Sequence, residues 1–147
     1  MQTFLMMTVA VVVMVLGDDG PVYVDELEDL VTSAADRTEL KLLEKNRTMI
    51  RSEKQQRLNV ILARQPASVQ QQYNQFVQME KARDANKQQW LQMKTQQVGG
   101  GPIDYAVRLN AIDNDMSISD DQAKQQKWML KQQLINNATM TTMGGQN

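Results

Sequence analysis

Five oxygen-bearing side chains alternate along one short stretch of the chain: Asp113, Asp115, Ser117, Ser119 and Asp121. Carboxylates and hydroxyls at that spacing suit a hard cation such as Ca²⁺ or Mg²⁺, which takes oxygen ligands, rather than zinc or copper. An EF-hand loop wants Gly at its sixth position and a bidentate Glu at its twelfth. Counted from Asp113, those places hold Ile118 and Lys124. A second reading uses the same residues as helix ends. Ser119 caps a following helix, Asp120 and Asp121 lie against its positive end, and Asp113 and Asn114 close the helix before it.

The residue types that are missing narrow the chemistry further. The 147 residues include neither His nor Cys. Ser-His-Asp and Cys-His triads, disulfides, thiol redox chemistry and imidazole or thiolate zinc sites are therefore excluded. Asp113 with Asp115, or Asp120 with Asp121, form carboxylate pairs, but adjacent acids on a short exposed loop lack the burial that would set their pKa values apart for acid–base work. We expect a protein that is not an enzyme. The net charge of −1 gives no general attraction to nucleic acid or to anionic lipid.

A second candidate site is apolar. Tyr73, Phe76, Met79, Trp90 and Met93 lie along one predicted helix, where Met supplies adaptable contact area and the aromatics rigid area. They form either a groove for a lipid, a peptide helix or a second copy of the chain, or ordinary packing against neighbouring helices. Because these aromatics fall on the apolar stripe, nucleic-acid binding is not expected of them.

The elements that must position these residues begin after a distinct leader. Met1 to Gly17 carries no charge and thirteen apolar residues, and stops at Asp18-Asp19-Gly20-Pro21. The run is shorter than the roughly 20 residues that span a bilayer, and matches the 7–15-residue apolar core of a secretory signal, with Val15 and Gly17 before the cleavage point. We expect residues 1–17 to be a signal peptide and the mature protein to be extracellular. The alternative is an uncleaved anchor tethering a structural protein that self-associates through its long helix. Secretion would expose Asn46-Arg47-Thr48 and Asn137-Ala138-Thr139 as N-glycosylation sequons.

Charge comes in blocks. Asp18 to Asp36 holds seven acids and no base, and Arg37 to Arg64 holds eight bases and three acids. The blocks can pair, or stand as solvated faces. Residues 18–36 read as an acidic leader, with Leu27, Leu30 and Val31 at helical spacing. Asp36-Arg37-Thr38-Glu39 and Ser52-Glu53-Lys54-Gln55 have the form of capping boxes, opening helices that carry Leu40, Leu42 and Leu43, then Leu58, Ile61 and Leu62. The second ends before Pro66. From Ala67 to Gln97 nothing interrupts a helix of about 46 Å, whose middle must be exposed or bent in so small a domain. Gly99-Gly100-Gly101-Pro102 stops it as a linker. Asp104 to Ile112 and a final helix opened by Ser119 follow, and 136–147 reads as a flexible tail.

The outcome is an all-α fold, a small bundle of five to six helices with one long central helix. Leu40-x-x-Leu43-x-x-Asn46, Ile50-x-Ser52-x-x-Gln55 is echoed by Leu109-x-x-Ile112-x-Asn114, Ile118-Ser119-x-x-Gln122, so the two halves are weakly similar.

The stretches Ala67-Ser68-Val69-Gln70-Gln71-Gln72-Tyr73-Asn74-Gln75-Phe76-Val77-Gln78 and Leu109-Asn110-Ala111-Ile112-Asp113-Asn114-Asp115-Met116-Ser117-Ile118-Ser119-Asp120-Asp121-Gln122-Ala123, in that order behind a signal, resemble the nematode SXP/RAL family of secreted proteins. The resemblance spans Leu40 to Leu134. It implies an all-helical, secreted, non-enzymatic protein of a group known as antigens and allergens, with a helical domain over 37–135 often labelled cation-binding. Met116 and Ile118 stand where the family's turn is commonly Ser-Leu-Thr, and the Gly99-Gly100-Gly101 linker is unusual for it. Lys45, Arg47 and Arg51 surround the first turn and argue against a metal there.

Overall fold

The computed structural model describes residues 20–98 and 100–144, and residues 1–17 with their signal reading lie outside them. Six helices run along the described chain: α1 (Val24–Leu30), α2 (Ala34–Lys45), α3 (Arg51–Ala63), α4 (Ala67–Gln97), α5 (Gly101–Asp113) and α6 (Asp120–Met143). Among the described residues there is no strand, and no helix is long and apolar enough to cross a membrane. The fold is an all-α bundle around one long helix, built as two helix–turn–helix halves.

The main core lies in the first half. Val24, Leu27 and Val31 of the acidic segment pack with Leu40 and Leu43 of α2, Leu58 and Ile61 of α3, and Tyr73 of α4, all buried. Within it α1 is a structural helix whose aliphatics fill the core, with Asp25 and Asp29 exposed and Glu28 largely covered. At roughly 25 cal/mol per Å² of apolar surface, each buried Leu or Val contributes about 1.5–3 kcal/mol. The charge blocks meet in part, through Lys41 with Glu28 at 3.4 Å and Arg64 with Asp36 at 3.0 Å.

Helix starts depart from the sequence reading in an instructive way. The α2 cap is Ser33, whose Oγ accepts from the Asp36 amide, and Asp36 lies inside the helix. Ser52 likewise lies inside α3, which begins at Arg51 without a side-chain cap. No side chain is needed because main-chain carbonyls of the other half do the capping. The Arg51 amide donates to Ile118 O at 3.0 Å and the Ser52 amide to Met116 O at 2.9 Å. The Asp121 amide at the start of α6 donates back to Arg47 O at 3.1 Å. An antiparallel bridge between Ile50 and Ser119 runs through this seam. The two turns therefore lie side by side, and each satisfies amides that the other's helix leaves orphaned.

Helix α4 matches its expected bounds and is unbroken. Tyr73 and Leu91 are its buried residues, one near each end, with an exposed middle between them. Helix α5 starts at Gly101, earlier than expected, so Gly101 and Pro102 belong to the helix and Gly100 does the turning at φ 97°. Helix α6 continues to Met143 where a flexible tail was expected; Asn137 lies within it, and Thr139 Oγ1 donates to Ile135 O at 2.9 Å.

Candidate functional site

The expected cation ligands lie at the α5–α6 turn, and each already makes a hydrogen bond or ion pair. Asp113 Oδ1 pairs with Lys127 Nζ at 2.5 Å. Asp115 Oδ1 folds back to accept from the Ser117 amide at 2.9 Å and from the Ser117 hydroxyl at 2.6 Å. Those two hydrogen bonds hold the Asp115 carboxyl below the usual carboxylate range. Ser119 is the N-cap of α6: its Oγ accepts from the Gln122 amide at 3.2 Å, and Gln122 Oε1 accepts from the Ser119 amide at 2.9 Å. Asp121 Oδ1 accepts from Arg47 Nε at 3.1 Å. Among the described residues, no group of three or more acidic side chains gathers in a way that could hold a metal ion. The five side chains are held apart by these partners rather than converging on one point, and the helix-end reading accounts for Ser119 directly.

What the turn does hold is Arg51. This residue and Lys54 are each only 3% exposed, although both come from a block that read as a solvated basic face. Arg51 Nη1 donates to the carbonyls of Ile112 at 3.0 Å, Asp113 at 3.3 Å and Asp115 at 3.1 Å. Arg51 Nε donates to Asp120 Oδ1 at 2.9 Å, and Lys54 Nζ takes Asp120 Oδ2 at 2.6 Å. The guanidinium thus caps the negative end of α5, where helix carbonyls run out of partners. Burial works against ionisation of Asp120, yet the hydrogen bonds and charges of Lys54 and Arg51 outweigh it and hold its carboxyl below the usual range.

This cluster forms one wall of a cleft of roughly 230 Å³, which Tyr23, Glu44 and Lys124 also line. Gly20 lies against the wall: a Cβ there would sit 3.2 Å from both Arg51 Nη2 and Asp120 Oδ1. Sequence reasoning placed Arg51 at the first turn and Asp120 at a helix start but missed that they meet each other and Lys54, because the partnership spans 66 to 69 residues of chain. The one local trace is the Ile50/Ile118 echo, which sets the turns in register.

The apolar candidates divide into two groups. Tyr73 is buried, and Phe76 is half-buried with its ring edge-on to Tyr23 at 5.4 Å. Met79, Trp90 and Met93 are 64%, 37% and 47% exposed. Helix geometry explains the division. Leu91 follows Tyr73 by five full turns at about 3.6 residues each and returns to the buried face, whereas Trp90 falls roughly 100° away. Met79, Trp90 and Met93 share that second face, and Lys94 Nζ stands 5.9 Å from the Trp90 ring. Burial pushes the Tyr73 hydroxyl well above its ordinary pKa, and this hydroxyl has no hydrogen-bond partner.

Of the sequons, Asn46 closes α2, with its Oδ1 accepting from the Thr48 hydroxyl and the Met49 amide, each at 3.1 Å. No protein-family model, curated protein or solved structure matches this chain.

Proposed function

We propose that this chain is a secreted, non-enzymatic helical protein of the SXP/RAL type, which acts by binding a protein or apolar partner on the exposed face of α4. The observation that carries the reading is the division of that helix. Tyr73 and Leu91 are buried on one face, while Met79, Trp90 and Met93 stand in solvent on the next. A rigid aromatic ring flanked by flexible thioethers suits an adaptable apolar contact. The lack of His and Cys removes the commonest catalytic apparatus. Secretion rests on the uncharged Met1–Gly17 segment.

Two measurements test the reading. The intact mass of the exported protein should correspond to a chain beginning at Asp18; a retained Met1 would favour the anchored alternative. For binding, a Trp128→Phe variant leaves Trp90 as the sole tryptophan, since the chain has two. Titration with oleate, with phosphatidylcholine vesicles and with increasing concentrations of the protein itself should shift Trp90 emission to the blue in at least one series. The shift should be lost with Met79→Ser/Met93→Ser. Emission that stays at its water-exposed position throughout would remove the α4 face as a binding surface.

A further inference from the structure

The second turn has the oxygen set of a cation site, supplied mainly by its main chain and by Asp120 rather than by Asp113, Asp115 or Asp121. Three main-chain carbonyls, of Ile112, Asp113 and Asp115, and one oxygen of Asp120 converge on a single positive group that is almost wholly removed from solvent. Carbonyl and carboxylate oxygens are what a hard cation takes. Here they surround a guanidinium from the first turn.

We propose that the α5–α6 turn is a cation receptor whose resident cation is the Arg51 side chain, so that the chain occupies its own site. Arg51 fits because a planar fork can present Nε to the carboxylate and Nη1 to the carbonyls together. An ammonium has the charge without that span. Lys54 illustrates the difference, since it meets Asp120 Oδ2 and none of the three carbonyls. The side chains that would assist a metal are committed elsewhere, Asp113 to Lys127 and Asp115 to Ser117. Free Ca²⁺ and Mg²⁺ therefore find no place at Asp113–Asp121 while Arg51 is present. Removing the guanidinium leaves a pocket that prefers a free guanidinium ion to an ammonium ion.

The test is urea unfolding of the mature chain and its Arg51→Ala variant at fixed ionic strength, with methylguanidinium, methylammonium, CaCl₂ or MgCl₂ added. The variant should unfold at lower urea. Methylguanidinium should raise its midpoint saturably, methylammonium should raise it far less, and neither should move the wild type. Calcium and magnesium should leave the wild type unchanged. A variant with the wild-type midpoint overturns the proposal, as does an equal response to the two organic cations. Calcium stabilisation of the wild type overturns it too. If Arg51→Ala does not fold, Arg51→Lys gives the same reading: its midpoint should fall, because an ammonium cannot span the carbonyls, and an unchanged midpoint refutes the assignment.

Discussion

Replacing Asp120 by Asn removes one negative charge from between two positive groups and leaves the shape of the cluster nearly intact. Breaking a buried charge cluster by removing one partner costs roughly 3–5 kcal/mol, because the remaining charge stays desolvated. Asp120 is 24% exposed at its side chain, and Asn keeps one acceptor for Arg51, so the lower end applies, about 3 kcal/mol. With a urea dependence of about 2 kcal/mol per molar, the midpoint should fall by roughly 1.5 M at pH 7. The pH dependence gives an independent check. The folded-state pKa of Asp120 lies below the ordinary value of 3.8, so its stabilisation is complete above the unfolded value and lost as pH falls through the folded one. The gap between wild type and Asp120→Asn should hold steady from neutrality to about pH 5, then narrow with acid and close. Helical circular dichroism in urea, at a series of pH values, reads both effects. A midpoint within about 0.3 M of wild type at pH 7, or a gap that widens in acid, would refute the account of this cluster.

Leu91→Ala should cost about 2–4 kcal/mol in thermal unfolding and Trp90→Ala well under half of that, since only the first residue is buried; equal losses would remove the two-face description of α4. Tyr73→Phe should leave stability unchanged or raise it by up to about 1 kcal/mol, because the hydroxyl it deletes is buried without a partner. In the wild type, stability should fall as pH rises above the ordinary tyrosine value of 10.0, since the folded pKa is raised; urea titrations should show that alkaline loss reduced in Tyr73→Phe. Gly100→Ala should destabilise by about 1–2 kcal/mol purely through its backbone, because φ is 97° and nothing lies within 4 Å of the added methyl; a neutral outcome in the same melt would show that the turn relaxes freely.

What could be read from the sequence was whatever is decided within a few residues. Pro66 precedes α4 and Gly100 turns the chain into α5, and the Ser119/Gln122 pair forms the capping box that its spacing announces. The Ser52 box has an equally good local pattern and failed, because Ile118 and Met116 carbonyls from the other turn already serve the start of α3. Arg51 and Lys54 were read as solvated for the same reason: in composition they differ in nothing from Arg57, which stays exposed and pairs with Glu53 on its own helix. They are met by a carboxylate and, for Arg51, three main-chain carbonyls far along the chain, and no periodicity encodes that. Trp90 and Met93 are a different case. They were read as continuing the Tyr73 stripe, but at about 3.6 residues per turn they fall with Met79 on the neighbouring, exposed face, and the less conspicuous Leu91 keeps the phase of Tyr73.

The reciprocal capping of the two turns also bears on the order in which the molecule assembles. Each helix pair can form from contacts close in sequence, but the seam between them closes a loop of about 70 residues, whose entropic cost must be met before its hydrogen bonds return anything. The seam should therefore form late, after both helical hairpins. Once closed, it turns the first amides of α3 and α6 from fraying ends into shared ones. In hydrogen exchange, Arg51, Ser52 and Asp121 should lose their protons together, as one cooperative unit rather than as two independent helix starts. Neither half then has a stability of its own at this seam: opening one turn exposes the amides of the other.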